Sequence, residues 1–236
     1  MKKILMAGIV LGTFAAGSAL AADLPRPAPA YKAPVVAPVF NWSGFYVGLH
    51  AGYAWGDSDW TNTVIPGGVA DDSLKPEGHF VGAQIGYNWQ VAPQWVWGIE
   101  ADISHASVHD RKNGPGIAFP AFDFGDEIDL LGTVRLRAGY AVDRTLWYVT
   151  GGWAWADGDR DLHIAGTRDT SGLDHSGWTI GAGVEHAITH NWTLKAEYLY
   201  MDLGDKTFVS PTFVPAAPWN VELQLHSVRF GVNYKF

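Results

Sequence analysis

From Gly44 onward, bulky apolar residues alternate with small or polar ones at a period of two, the spacing of a β-strand with two unlike faces. The first run sets Phe45, Val47, Leu49, Ala51, Tyr53 and Trp55 against Tyr46, Gly48, His50, Gly52 and Ala54. Comparable runs recur at about 81–89, 95–104, 128–140, 146–156, 178–185, 192–200 and 227–236. The last sets Val228, Phe230, Val232, Tyr234 and Phe236 against Ser227, Arg229, Gly231, Asn233 and Lys235. The pattern therefore predicts eight strands. Their connections alternate in length. Those after the second, fourth and sixth strands are about three residues (Ala92-Pro93-Gln94, Asp143-Arg144-Thr145, Thr189-His190-Asn191), and the others run to about 17–22 residues.

An even strand count, short turns at one end and long loops at the other suit an antiparallel up-and-down barrel of the outer-membrane type. Bulk decides which face points outward. An eight-stranded barrel has an interior only wide enough for side chains to fill. The bulky set, rich in Trp, Tyr and Phe, does not fit inside, whereas Gly, Ala, Thr and a few charged residues do. The bulky face must point outward, where only lipid suits it. Two aromatic girdles are expected at the strand ends. Trp42, Trp89, Trp95, Trp147, Trp192 and Phe236 would form one, and Trp55, Phe80, Trp155, Trp178 and Tyr200 the other.

Composition agrees with this reading and adds a location. Hydrophobic residues make up 47% and charged residues 17%, which excludes a disordered chain. The net charge of −8 argues against a nucleic-acid partner. There is no Cys, so disulfide scaffolds, thiolate metal sites and Cys nucleophiles are excluded. Lys2 and Lys3, the apolar stretch from Ile4 to Ala16 and the small-x-small Ala19-x-Ala21 read as a cleaved signal peptide over 1–21. Residues 22–41 then form a periplasmic tether, with Pro25, Pro27, Pro29, Pro34 and Pro38 keeping it extended. The barrel occupies 42–236. Export without Cys suits the envelope of a Gram-negative bacterium. Short turns and N-terminus would face the periplasm and long loops the exterior.

The inward face carries one concentration of charge. Counted from the short-turn ends, Glu185 and Lys195 lie about three residues in. Glu100, Arg137 and Glu197 lie about five in, and Asp102, Arg135 and Arg229 about seven. Four acids and four bases in one belt should pair, because an isolated charge in a low-dielectric interior is costly. Glu185 and Lys195 flank the turn at His190 symmetrically and should oppose each other. Glu100 or Asp102 should meet Arg135 or Arg137, and Glu197 should meet Arg229. The expectation is a salt-bridged plug across the lumen.

Several segments also carry a resemblance. Trp42-Ser43-Gly44-Phe45-Tyr46-Val47-Gly48, Gly82-Ala83-Gln84-Ile85-Gly86-Tyr87-Asn88-Trp89-Gln90 and Gly98-Ile99-Glu100-Ala101-Asp102-Ile103 resemble small α-proteobacterial outer-membrane proteins. So do Gly132-Thr133-Val134-Arg135, Gly181-Ala182-Gly183-Val184-Glu185 and Lys195-Ala196-Glu197-Tyr198-Leu199-Tyr200. That group includes porin-family and outer-membrane immunogenic proteins, whose barrel is similar to the OmpA transmembrane domain. The resemblance spans about 42–236 and brings no shared catalytic motif. Val232, Tyr234 and Phe236 resemble the signal read by the barrel-assembly machinery. The partners implied are that machinery, outer-membrane lipid and lipopolysaccharide, with the barrel a monomer.

Other features are weaker. Loop one carries Asp57, Asp59, Asp71, Asp72 and Glu77, and loop three Asp157, Asp159, Asp161, Asp169 and Asp174. Asp157-x-Asp159-x-Asp161 alternates oxygen ligands but lacks the rest of a calcium loop. A solvated acidic surface is the simpler reading. Loop four holds Phe208, Phe213, Val214 and Trp219 among prolines, suited to packing over the barrel mouth or to contact. His79, His105, His109, His163, His175 and His226 lie toward the long-loop end, where haem is the ligand the resemblance suggests, but no pair has ligand spacing. His105-x-Ser107 shares an outward face, as in deacylating barrels, yet no orienting acid is in sight. The sequence therefore predicts a non-enzymatic, structural and surface-exposed barrel with no cofactor. A narrow pore is the second reading, and a loop-borne ligand or adhesion site the third.

Overall fold

The structure, a computed structural model, describes residues 40–62, 71–113, 122–164, 167–209 and 218–236. The leader and the tether as far as residue 39 lie outside the described residues. Every element within them is a strand: β1 (Gly44–Asn62), β2 (Asp71–Leu74), β3 (Glu77–Gln90), β4 (Trp95–Asn113), β5 (Phe122–Val142), β6 (Thr145–Ile164), β7 (Thr167–Ala187), β8 (Trp192–Val209) and β9 (Pro218–Lys235). Each pairs antiparallel with its neighbour, and β9 returns to β1, closing the barrel. The short β2 does not add a separate strand to the wall. Trp55 pairs with Glu77 and Ser58 with Leu74, so β2 and β3 run in one register along β1. Lys75 and Pro76 merely interrupt that strand, since a proline cannot donate to the ladder. The barrel is eight-stranded.

The short turns are Val91–Gln94, Asp143–Arg144 and Ile188–Asn191. Asp143 takes a positive φ of 52°, as a two-residue hairpin turn requires and as Asp tolerates. The long connections differ from expectation. Most of what reads as loop is strand: β6 and β7 pair as far as Ile164 with Thr167, and β4 and β5 as far as Asn113 with Asp123. Register breaks between His105 and Val108 and between Asp202 and Asp205 mark β-bulges where these arms begin.

The arms escape a period-two reading because the polarity of the two faces inverts along each strand. In β9, the outward Val228, Phe230 and Val232 are exposed, while the inward Ser227, Arg229 and Asn233 are buried. Farther toward the long-hairpin end, the inward positions become Leu225, Leu223 and Val221, all buried, and the outward ones become Gln224 and Glu222. Alternation continues without a slip; what changes is the medium outside. Lipid accepts an apolar outer face, and water requires a polar one. The inversion falls beside Trp55, Trp178, Tyr200 and His226, where one girdle stands.

Trp89, Trp95, Trp147, Trp192 and Phe236 are 47–72% exposed and form the other girdle, as expected. Trp42 and Phe80 do not join the girdles; both are buried in the lumen. Phe80 falls on the inward parity of β3, opposite Gly52, so nearness to a strand end misplaces it. Trp42 precedes β1 and no strand parity governs it. The lumen thus has three layers. An apolar one at the short-turn end includes Phe40, Trp42, Val96, Leu146 and Tyr148, and one at the other end includes Phe80, Val108, Ile128, Met201, Leu203 and Leu225. A polar layer lies between.

Candidate functional site: the charged layer of the lumen

The polar layer contains all eight charged residues singled out above. Glu100 and Asp102 come from β4, Arg135 and Arg137 from β5, Glu185 from β7, Lys195 and Glu197 from β8, and Arg229 from β9. Their side chains are at most 3% exposed, and the four negative charges balance the four positive ones. Glu100 is the hub. Arg135 Nη2 and Lys195 Nζ both bond its Oε1, Lys195 also reaches Oε2 at 2.9 Å, and Tyr46 donates its hydroxyl proton to Oε2 at 2.8 Å. The guanidinium of Arg135 forks outward, to Asp102 at 3.1 Å and to Glu197 at 2.9 Å. Arg229 links the same two carboxylates, with Nε 2.5 Å from Glu197 and Nη1 3.1 Å from Asp102. Arg137 donates to Glu185 at 2.7 Å and lies 4.0 Å over the ring of Tyr148.

Neutral donors complete the set. Thr133 donates to Asp102 at 2.5 Å, and Thr193 and Asn233 donate to Glu185 at 2.6 and 2.9 Å. Such bonds are what make buried ion pairs tolerable, since the desolvation cost of each ion is several kcal/mol.

The expected partners are met in part. Glu197 does pair with Arg229, and Glu100 and Asp102 with Arg135. Glu185 and Lys195 oppose each other in the ladder, but they do not bond to each other. Glu185 takes Arg137, two strands along the wall, and Lys195 takes Glu100 on the opposite wall. Ladder register names neighbours along the wall. In so narrow a lumen, long side chains can reach past the adjacent strand, while Glu100–Arg135 and Glu197–Arg229 still pair along the ladder. Tyr46 and Tyr148, both buried, were missed by reading charge alone. A signal for Tyr46 lies in the ladder: it pairs with Gly86, whose missing Cβ leaves room for the ring. A Cβ there would stand 2.3 Å from the Tyr46 hydroxyl oxygen. Gly86→Ala should therefore cost about 1–3 kcal/mol by overpacking, read as a lower urea midpoint with an unchanged slope.

The remaining candidates are scattered. Val232 and Phe236 are exposed on the outer wall, with Tyr234 half-buried between Trp192 and Phe236. His105 and Ser107 are exposed beside the β4 bulge, and no hydrogen bond links them. His79 and His109 are exposed, His175 is buried, and His226 stacks on Trp55 and accepts or donates a bond with Tyr198 at 2.7 Å. Asp57, Asp59, Asp157, Asp159 and Asp174 are exposed. The side chains of Asp71, Asp72, Asp161, Asp169, His163, Phe208, Phe213, Val214 and Trp219 lie outside the described residues. Among the described residues, no three His, Asp or Glu side chains are gathered as metal ligands.

The 31 kDa outer-membrane immunogenic protein of Brucella melitensis is 36% identical over 254 residues, covering 100% of both chains. The 25 kDa outer-membrane immunogenic protein of Brucella abortus is 31% identical, covering 100% of this chain and 99% of its own. Among solved structures, Neisserial surface protein A aligns at 19% identity with a TM-score of 0.42, covering 82% of this chain and 98% of that one. The profile of the outer membrane protein beta-barrel domain matches residues 12–236. The chain belongs to the outer-membrane β-barrel family.

Proposed function

We propose that this protein is a structural, surface-presenting barrel of the outer membrane, with a lumen sealed rather than conducting. The observation that carries this is the charged layer. Eight buried, mutually neutralised side chains from five strands meet across the lumen and leave no unpaired charge to attract a passing ion. Apolar layers on both sides support the same reading. In this reading the short turns face the periplasm and the hairpin arms project from the cell. The arms then present an acidic outer surface, including Asp57, Asp59, Glu77, Asp157, Asp159 and Glu222. The names of the Brucella relatives, immunogenic proteins of the outer membrane, fit a surface-presenting role. Lipopolysaccharide and outer-membrane phospholipid are its immediate partners, and the exposed Val232 and Phe236 suit recognition during assembly.

Single-channel recording of the refolded protein in a planar bilayer tests this. The expected result is a silent bilayer, with folding confirmed by a heat-dependent gel shift. Stepwise current altered by Arg135→Ala or Glu197→Ala would instead make the charged layer a filter, and the protein a narrow pore.

A further inference from the structure

The layer at the short-turn end differs from the rest of the lumen in one respect: the barrel wall does not supply all of it. Phe40 and Trp42 precede β1, yet they are 6% and 1% exposed. They pack edge to face at 4.8 Å and share a buried cluster with Val96, Leu146 and Ala187. The chain enters the wall through Gly44, whose φ of +136° is open to glycine but strained for any side chain. That bend turns the preceding residues away from the path of β1. Polar contacts then fix the segment. Trp42 N donates to Gln90 Oε1 at 2.9 Å, and Gln90 N donates to Ser43 Oγ at 2.9 Å. Lys235 Nζ bonds the carbonyl of Asn41 and lies 4.6 Å over the Phe40 ring.

We infer that residues 40–43 form a stopper, hinged at Gly44, that closes this end of the lumen and can be unseated without unfolding the wall. None of these residues belongs to a strand, so withdrawing them breaks no rung of the ladder. What opposes withdrawal is the burial of two aromatic rings and the contacts to Gln90 and Lys235. The same cluster contains Tyr148, the ring on which Arg137 lies, so the stopper adjoins the charged layer. A pull on the chain N-terminal to Phe40 acts directly on this seat.

The natural absence of Cys makes the test direct. A single thiol at Ala187→Cys, in the stopper's cluster, is labelled with a membrane-impermeant maleimide in the refolded full mature chain. Ala156→Cys, buried in the opposite apolar layer, serves as the control. With the stopper intact both thiols should be protected. Adding Phe40→Ala and Trp42→Ala should speed labelling at position 187 by roughly tenfold or more, as local opening does, and leave position 156 unchanged. Lys235→Met, which removes the clamp and keeps both rings, should give a smaller acceleration at 187, and it decides the matter if the double substitution fails to fold. Equal labelling at 187 with and without the stopper or its clamp would overturn the inference. So would acceleration at both positions, which means general loosening of the barrel. The proposal is independent of the sealed-lumen reading, because an unseated stopper leaves the charged layer in place. Current and labelling report on the two separately.

Discussion

Glu100→Gln should destabilise the barrel by about 3–5 kcal/mol, the cost of leaving buried charge without its partner. The substitution preserves shape and removes one negative charge from the layer. Lys195 loses both of its close carboxylate contacts, at 2.8 and 2.9 Å, and retains only Glu197 at 3.8 Å. Arg135 keeps Asp102 and Glu197. Most of the penalty should therefore fall on the Lys195 ammonium, which cannot reach water. Adding Lys195→Met should recover a substantial part of the loss, since it removes the orphaned charge and restores neutrality. Urea unfolding of the refolded protein in lipid vesicles measures both. A double-mutant cycle of Glu185 with Lys195 should show a much smaller coupling than Glu100 with Lys195, although the first pair faces across a turn and the second lies on strands far apart around the wall. Equal couplings would mean that ladder neighbours, and not partners across the lumen, hold the layer together.

Leu136→Arg should cost about 2–4 kcal/mol, the penalty for a cation on the lipid face near the bilayer midplane. Leu136 is 64% exposed, and in a protein surrounded by water an exposed Leu tolerates Arg at little cost. It lies on β5 between the Asp143 turn and the β5 register break near Ile128, about midway along the lipid-facing stretch. The same substitution at Glu222, exposed on the hairpin arm, should be nearly neutral. Urea midpoints in vesicles compare the two. A neutral Leu136→Arg would place the apolar outer face somewhere other than lipid, and the bulk argument for the barrel's orientation would fail with it.

Most of the wall was legible in the sequence because lipid imposes a simple rule. An outward face meeting hydrocarbon must be apolar at every second residue, so Phe45, Val47 and Leu49 or Val228, Phe230 and Val232 announce their strands and their direction together. Charges on the opposite parity then have nowhere to go but the lumen, and the eight charged residues of the polar layer follow from parity together with their height along the strands. That rule stops at the girdle. Beyond it, Leu223 and Leu225 point inward and Glu222 outward, and the strand reads as loop to an eye set for apolar residues facing out. Only the assembled ladder shows that these segments go on pairing beyond the bulges. Closure of the barrel decided two further matters. It set Lys195 against Glu100 and Arg137 against Glu185, because distance across a narrow lumen is a property of the circle and not of any hairpin. It also gave Trp42 a place inside: residues before the first strand have no parity, and only the finished barrel has a mouth for them to fill.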